Sequence, residues 1–360
     1  MTRTKAPAKK SGPTLKTRKP TGIVPWPLIL IEGEEGSGKS YAAAEFSGSE
    51  KVGATFWLDL VEGSGDEYAA VPGADYNLIE HDGTYRDILE QIEAVHALAS
   101  DAAKSRKPPT LLIIDTASAL WRMLTNWTHE RARRTRKNAR LLEEDPDAAV
   151  DIAMNLWNDA VERWMRIMHL LQTFPGIVVL LARGKQVSVV DDNGTPISGR
   201  HDWRVSGHKD LGFDSTVWVR LKRDEEPQII KARSLRLRVE RKKPLRVPEF
   251  TIEGLVFDML GCTAASQPRR MPALSGDAVQ PWLSRVQTIG TREGLGDLWR
   301  ETRPEKSGLT REEAATVQAA INVRLAQIES TPPELGQDPA SRLRAAAAEH
   351  DRPQDTAEQP

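Results

Sequence analysis

Cysteine is almost missing from this chain: Cys262 stands alone in 360 residues. A single thiol excludes an intramolecular disulfide and a cysteine-built zinc site, and it fits a reducing compartment. His81, His201 and His208 show no metal-ligand spacing either. Long apolar runs are absent; the best, residues 177–182, has the length of a strand and falls far short of the ~20 residues that cross a bilayer. The N-terminus is basic but has no apolar stretch behind it, so it does not read as a signal peptide. A soluble, cytoplasmic protein with no membrane partner is expected. There is no internal repeat and no serine–histidine–aspartate arrangement. Net charge is nearly nil, −1 from 50 basic and 51 acidic residues, which excludes a nucleic-acid partner only if the charges are evenly spread. They are not.

A hydrophobic share of 39% is low for a globular chain, so part of the length is uncommitted to any core. Residues 1–24 carry Arg3, Lys5, Lys9, Lys10, Lys16, Arg18 and Lys19, several prolines and no acid, and read as a disordered basic arm. Residues 331–360 read as a disordered tail. Within 25–261, short apolar runs alternate with longer amphipathic ones. Strands are predicted at 27–31, 54–60, 77–79, 111–115, 177–182, 215–221, 228–232 and 236–240, and helices at 39–46, 85–103, 117–136 and 148–173. This alternation predicts an α/β core with a mainly parallel central sheet flanked by helices. The closely spaced later strands predict an antiparallel extension. A linker, 262–276, leads to a small helical domain, 277–330, with helices at 278–288, 294–301 and 310–330.

The strongest motif is Gly33-Glu34-Glu35-Gly36-Ser37-Gly38-Lys39-Ser40, placed after the first strand and opening the first helix. That is the context a phosphate-binding P-loop requires. Its glycines let backbone N–H groups turn toward phosphate oxygens, and the helix N-terminus adds its dipole. Lys39 supplies a point charge and Ser40 a magnesium ligand. Tyr41 follows and completes the expected ATP-binding run. A second magnesium anchor belongs at the end of a neighbouring strand, and residues 111–115 supply it: four apolar side chains ending in Asp115. ATP and Mg²⁺ are the cofactors these residues predict.

Hydrolysis needs a group that activates water. After the second strand the chain reads Asp59-Leu60-Val61-Glu62-Gly63-Ser64-Gly65-Asp66-Glu67-Tyr68, an acidic stretch at the end of a strand expected to adjoin the P-loop strand. Glu62 is the first choice for activating water and Asp59 its rival. Here the sequence resembles the RecA recombinases, whose catalytic glutamate lies just past this strand, followed by an Asp and a Tyr that contact adenine. Glu62, Asp66 and Tyr68 occupy similar places, with the Glu-to-Tyr spacing one residue shorter. The resemblance is closer to phage-encoded RecA-like ATPases of the AAA family that act in single-strand annealing and recombination. It rests on the P-loop, on 111–115, and on W-N-D-A-V-E-R-W (157–164), V-V-L-L-A-R-G-K (178–185) and G-H-K-D-L-G-F-D-S-T-V-W-V-R (207–220). The resemblance covers 25–260. It implies a RecA-like P-loop core, Mg²⁺-dependent ATP hydrolysis and a ring or filament of identical subunits. It also implies single-stranded DNA and a single-strand-binding protein as partners, and the host cytoplasm as location. Where RecA has a polar amide that senses the γ-phosphate, this chain has Arg183 and Lys185; Arg183 is the sensing candidate. Such ATPases complete their site across a subunit interface. Arg220 and Lys222, alternating at the end of strand 215–221, are the candidates for cations acting in trans.

The charge map shows three basic blocks. One is the N-terminal arm, and a second packs Arg131, Arg133, Arg134, Arg136, Lys137 and Arg140 into ten residues. The third, 231–246, carries Lys231, Arg233, Arg236, Arg238, Arg241, Lys242, Lys243 and Arg246 against Glu240 alone. In RecA-like folds the loops after the central strands line a single-strand channel, and the second block is expected there. A further loop, 186–205, with a hairpin-type turn at Asp191-Asp192-Asn193-Gly194, adds Lys185 and a stacking candidate, Trp203. Trp121, Trp127, Trp157 and Trp164 lie at helical spacings and read as core or subunit contacts. The function expected is that of an ATPase in which hydrolysis controls affinity for single-stranded DNA. Two alternatives stay open: a DNA-binding module holding ATP as a structural ligand, and a replication helicase or helicase loader.

Overall fold

The computed structural model describes residues 15, 17–191, 195–240, 243–271 and 279–330. Most of the basic arm, the last part of the linker with residues 277–278, the turn at 192–194, Arg241, Lys242 and the tail 331–360 lie outside the described residues. The chain forms two units, Met1–Pro272 and Ala273–Pro360.

In the first unit the strands are β1 (Leu28–Gly33), β2 (Thr55–Asp59), β3 (Asn77–Leu78), β4 (Thr110–Asp115), β5 (Gly176–Val190), β6 (Pro196–Val205), β7 (Val217–Leu221), β8 (Gln228–Ala232) and β9 (Leu245–Arg246). The helices are α1 (Lys39–Ser47), α2 (Gly65–Tyr68), α3 (Tyr85–Lys104), α4 (Ala117–Arg133), α5 (Arg136–Glu144), α6 (Met154–Gln172) and α7 (Leu211–Asp214). A π-helical turn, Gly254–Met259, follows β9. The sheet order is β3-β2-β4-β5-β1-β7-β8-β9, with β6 paired to β5 outside that path. Pairing is parallel from β3 through β7 and antiparallel at β7–β8, β8–β9 and β5–β6. The α/β architecture with a mainly parallel sheet and an antiparallel extension is therefore as the alternation predicted.

Apolar runs such as Leu28–Ile31 and Leu111–Ile114 are buried on both faces, as parallel strands covered by helices must be. The strand period of two divides them: Ile29, Ile31, Leu111 and Ile113 face the cluster with α1, while Leu28, Leu30, Leu112 and Ile114 face α3, α4 and α6. Each such side chain taken from water contributes about 1.5–3 kcal/mol. Helix α3 shows how one layer is made. Ile88, Leu89, Ile92, Val95 and Ala99 fall on one face, and Thr84 caps the N-terminus by accepting from Asp87 N–H.

Several expectations differ from the structure. The segment 186–205, expected as a loop, supplies the end of β5 and all of β6, which pair antiparallel. The stretch 117–136 is two helices, because Thr135 takes an extended backbone and starts α5. Helix α6 begins at Met154, not 148. Residues 236–240 form no strand; the extension is completed by β9. The strand order also departs: β2 does not adjoin β1, since β4 and β5 lie between them, and β5 alone separates β4 from β1. Pairing order is a long-range property of crossover connections, which local periodicity does not encode.

The second unit has helices α8 (Gln280–Thr288), α9 (Arg292–Glu301), α10 (Pro304–Ser307) and α11 (Arg311–Ser330). It buries its own cluster, including Val286, Leu295, Leu298, Val317 and Ile321. Among the described residues no helix is long and apolar enough to cross a membrane.

Candidate functional site

The site is built at the C-terminal end of β1. Gly33 closes the strand so tightly that a Cβ there would run into the Leu221 carbonyl on β7. The loop then turns through Gly36 and Gly38, at φ 67° and 83°, a region glycine enters without steric cost. Lys39 opens α1 and folds its ammonium back over the loop, donating to the Glu34 carbonyl at 2.6 Å, to Gly33 O at 3.3 Å and to Ser37 Oγ at 3.2 Å. Burial lowers its pKa, while Asp115, Glu62 and Glu32 favour the charged form. Arg223, just past β7, braces the loop from outside. Its Nε donates to Glu35 O at 2.7 Å, and its backbone N–H donates to Glu34 Oε1 at 2.8 Å.

Ser40 Oγ, in the first turn of α1, donates to Asp115 Oδ2 at 2.8 Å, although β5 lies between β1 and β4. Asp115 is 3% exposed. Burial pushes its carboxyl up to about 6; the Ser40 hydrogen bond opposes this, and the Glu62 and Asp59 charges add to it. A hydroxyl and a buried carboxylate are the hard oxygen donors that Mg²⁺ takes, and this ion usually keeps waters and phosphate oxygens as its other ligands. Among the described residues no group of three or more His, Cys, Asp or Glu is set to hold a metal by itself. The pair thus fits an ion that arrives with a phosphate-bearing nucleotide.

The two acids after β2 have different surroundings. Asp59 accepts backbone N–H groups from Glu62 at 3.0 Å, Gly63 at 3.1 Å and Gly65 at 3.0 Å. It shapes the loop. Glu62 instead presents its carboxylate to the site, where Oε1 accepts from Arg183 Nε at 3.1 Å and Nη2 at 2.8 Å. Arg183 stands in register with Gly33, and its backbone N–H donates to Ser118 Oγ at 2.9 Å. Glu62, Arg183, Lys39, Ser40 and Asp115 therefore gather at one end of the sheet from four separate segments.

Other expected residues lie elsewhere or are otherwise engaged. Tyr68 stacks on Trp57, with ring centroids 6.2 Å apart, at the margin of the core; Asp66 is exposed on α2, and Tyr41 is 49% exposed on α1. Arg220 is turned inward: it is 16% exposed, and its Nε donates to the buried Glu32 at 2.6 Å. Lys222 pairs with Glu225 and lies over the Trp203 ring at 5.4 Å. Trp203 itself donates to Glu32. The basic block 131–140 is not a loop. Arg131 and Arg133 lie in the last turn of α4, about 20 Å along the helix from the end of β4; Arg136, Lys137 and Arg140 lie on α5. These cations and Arg134 are exposed, with Arg134 near Glu130 and Lys137 near Asp151. Lys185 sits on β5 opposite Arg204 and is well separated in the chain from that block. Ser118, expected near Asp115, instead accepts the Arg183 backbone N–H. Glu32 and Arg223 were not anticipated. Only their tertiary partners mark them, since an isolated Glu or Arg near a strand end carries no signal.

A parallel α/β sheet with a P-loop at the end of one strand, and a serine–carboxylate pair beside it, defines a P-loop nucleotide-binding protein. The family model for the AAA domain matches residues 27–209, just over half of the chain. The chain belongs to this AAA-domain family. No curated protein matches it. Among solved structures, the crystal structure of the RadB recombinase is similar at 14% identity and a TM-score of 0.31, over 59% of this chain and 83% of that one. That likeness is too loose to carry a role across.

Proposed function

We propose that this protein is a Mg²⁺-dependent ATPase that binds single-stranded DNA as a RecA-like oligomer and acts in recombination, annealing or repair of the kind phages encode. The observation that carries the reading is the convergence of Lys39, Ser40, Asp115, Glu62 and Arg183 at the end of β1. The loop amides and Lys39 bind and orient the phosphates. When bound, Mg²⁺ neutralises phosphate oxygens, and Ser40 and Asp115 are the residues that would hold it. Glu62 accepts the proton of the attacking water; Asp59 keeps it in reach by holding the loop. Arg183 pairs with Glu62 and has the charge to sense a terminal phosphate, so drawing it toward that phosphate frees the glutamate. Exposed arginines on α4 and α5, with Lys185 at the root of the β5–β6 hairpin, supply charge suited to a nucleic-acid backbone.

One observation favours a second reading, in which ATP is a structural ligand of a DNA-binding module: the Glu62 carboxylate is engaged by Arg183. ATP turnover measured with and without single-stranded DNA across a salt series separates the two. Stimulation that fades with salt, and its loss in Lys39→Ala, is expected for the ATPase. Undiminished turnover in Lys39→Ala would overturn the phosphate-loop assignment. Turnover that is negligible both with and without DNA leaves the structural-ligand reading.

A further inference from the structure

Strand β5 pairs with β1 only as far as Arg183, and with β4 only as far as Leu181. From Gly184 to Val190 its pairing is with β6. The hairpin is therefore an arm that leaves the sheet at its phosphate-binding end, rooted beside Gly33. At that root lies Glu32, a carboxylate with 0% exposure, one residue before the phosphate loop. Its oxygens are turned away from the phosphate loop, and only its charge, through space, reaches Lys39. Both its oxygens are taken: Oε1 accepts from Arg220 Nε at 2.6 Å, and Oε2 accepts from Trp203 Nε1 on β6. Arg220 Nη2 also reaches the Trp203 carbonyl at 3.4 Å. Glu32 and Arg220 are register partners on adjacent strands. A Cβ at position 184 would run into both the Glu32 carboxylate and the Trp203 ring, so glycine is what lets this cluster close over the root. A fully buried carboxylate is tolerated only when paired and hydrogen-bonded, which gives the arm one low-energy seat.

We infer that Glu32 is a positioning residue: through Trp203 and Arg220 it sets the pose of the β5–β6 arm and passes the state of the phosphate loop to it. This rests on reading the P-loop as a nucleotide site. The carbonyl of Gly33, the residue that follows Glu32, accepts from Lys39 Nζ. A triphosphate in the loop competes for that ammonium and alters the constraint on the Gly33–Glu34 peptide, one residue past Glu32. On the other side of the root, Arg183, the partner of Glu62, is covalently next to Gly184. The two charged groups closest to hydrolysis are thus tied to residues beside the arm's root.

Hydrogen–deuterium exchange of the full-length protein over 184–191 and 195–205, with and without ATPγS and Mg²⁺, tests this. In the wild type, nucleotide is expected to change arm exchange roughly fivefold or more; in Glu32→Gln the change falls below about twofold, while affinity for a fluorescent ATP analogue stays within about threefold. Trp203→Phe keeps the Glu32–Arg220 ion pair and is expected to lose the response in the same way; it decides the matter if Glu32→Gln does not fold. A merely structural tie would raise exchange equally in both states and keep the wild-type ratio, and that result overturns the inference. So does a wild-type arm that ignores bound nucleotide. If the wild type binds no ATPγS, the nucleotide reading fails first and this inference falls with it.

Discussion

At the scale of single residues, environment separates acids that look alike in sequence. Asp59 and Glu62 are three positions apart, yet one faces three backbone N–H groups and the other an arginine. Asp59→Ala should unhook the loop that carries Glu62. Turnover is expected to fall by roughly 10²-fold while nucleotide affinity changes little, a split that steady-state kinetics and equilibrium binding would measure. Asp115 gives a pH signature. Its carboxyl ionises near an ordinary 3.8 in the unfolded chain and at about 6 in the folded, Mg²⁺-free protein. The folded state therefore holds the proton more tightly. That stability is fully present below about 4 and is lost as pH rises through about 6, on the order of 3 kcal/mol in all. Denaturant titrations without Mg²⁺ should show this fall, and Asp115→Asn should flatten it. Mg²⁺-dependent nucleotide binding should weaken below pH ~6, where the proton competes with the ion.

At the scale of elements, burial and capping explain why the site stands where it does. Strands β1 and β4 each carry four buried apolar residues because helices cover both their faces, and each ends beside the phosphate loop, in Gly33 and the buried Asp115. Helix α3 is locally specified: an amphipathic stripe of buried Ile, Leu and Val behind a Thr84 cap. Thr84→Ala should lower stability by about 1 kcal/mol and shift the thermal midpoint without changing nucleotide affinity. Strands β1 and β4 were legible as short continuous apolar runs, α3 as an amphipathic stripe, and α1 from the phosphate loop that opens it. Periodicity missed the break at Thr135, where one residue's backbone decides between one long helix and two. The continuous β5–β6 pairing was also missed, because the sequence beyond Arg183 mixes polar and apolar residues with no continuous apolar run to mark a strand.

At the scale of the molecule, the two units each enclose a separate apolar cluster. Calorimetry of the full chain should resolve two transitions. ATPγS with Mg²⁺ at 100 times its dissociation constant should stabilise only the larger unit, by about 2.7 kcal/mol. A single transition moved as a whole by nucleotide would show that the units unfold together. Near-neutral net charge is a whole-molecule sum and conceals local fields. The exposed cations of α4 and α5 act within a Debye length of about 8 Å at physiological salt, whatever the total.

The sequence by itself determined the α/β class, the phosphate loop and the terminal Asp115, because each depends on residues a few positions apart whose spacing maps directly onto a strand, a turn or a helix face. Only the tertiary structure decided that Glu62 meets Arg183, that Ser40 reaches Asp115 past an intervening strand, and that Arg220 is spent on Glu32. Those contacts join segments between 75 and 188 positions apart. Strand order sets them, and strand order is chosen by crossover connections and burial across the whole sheet.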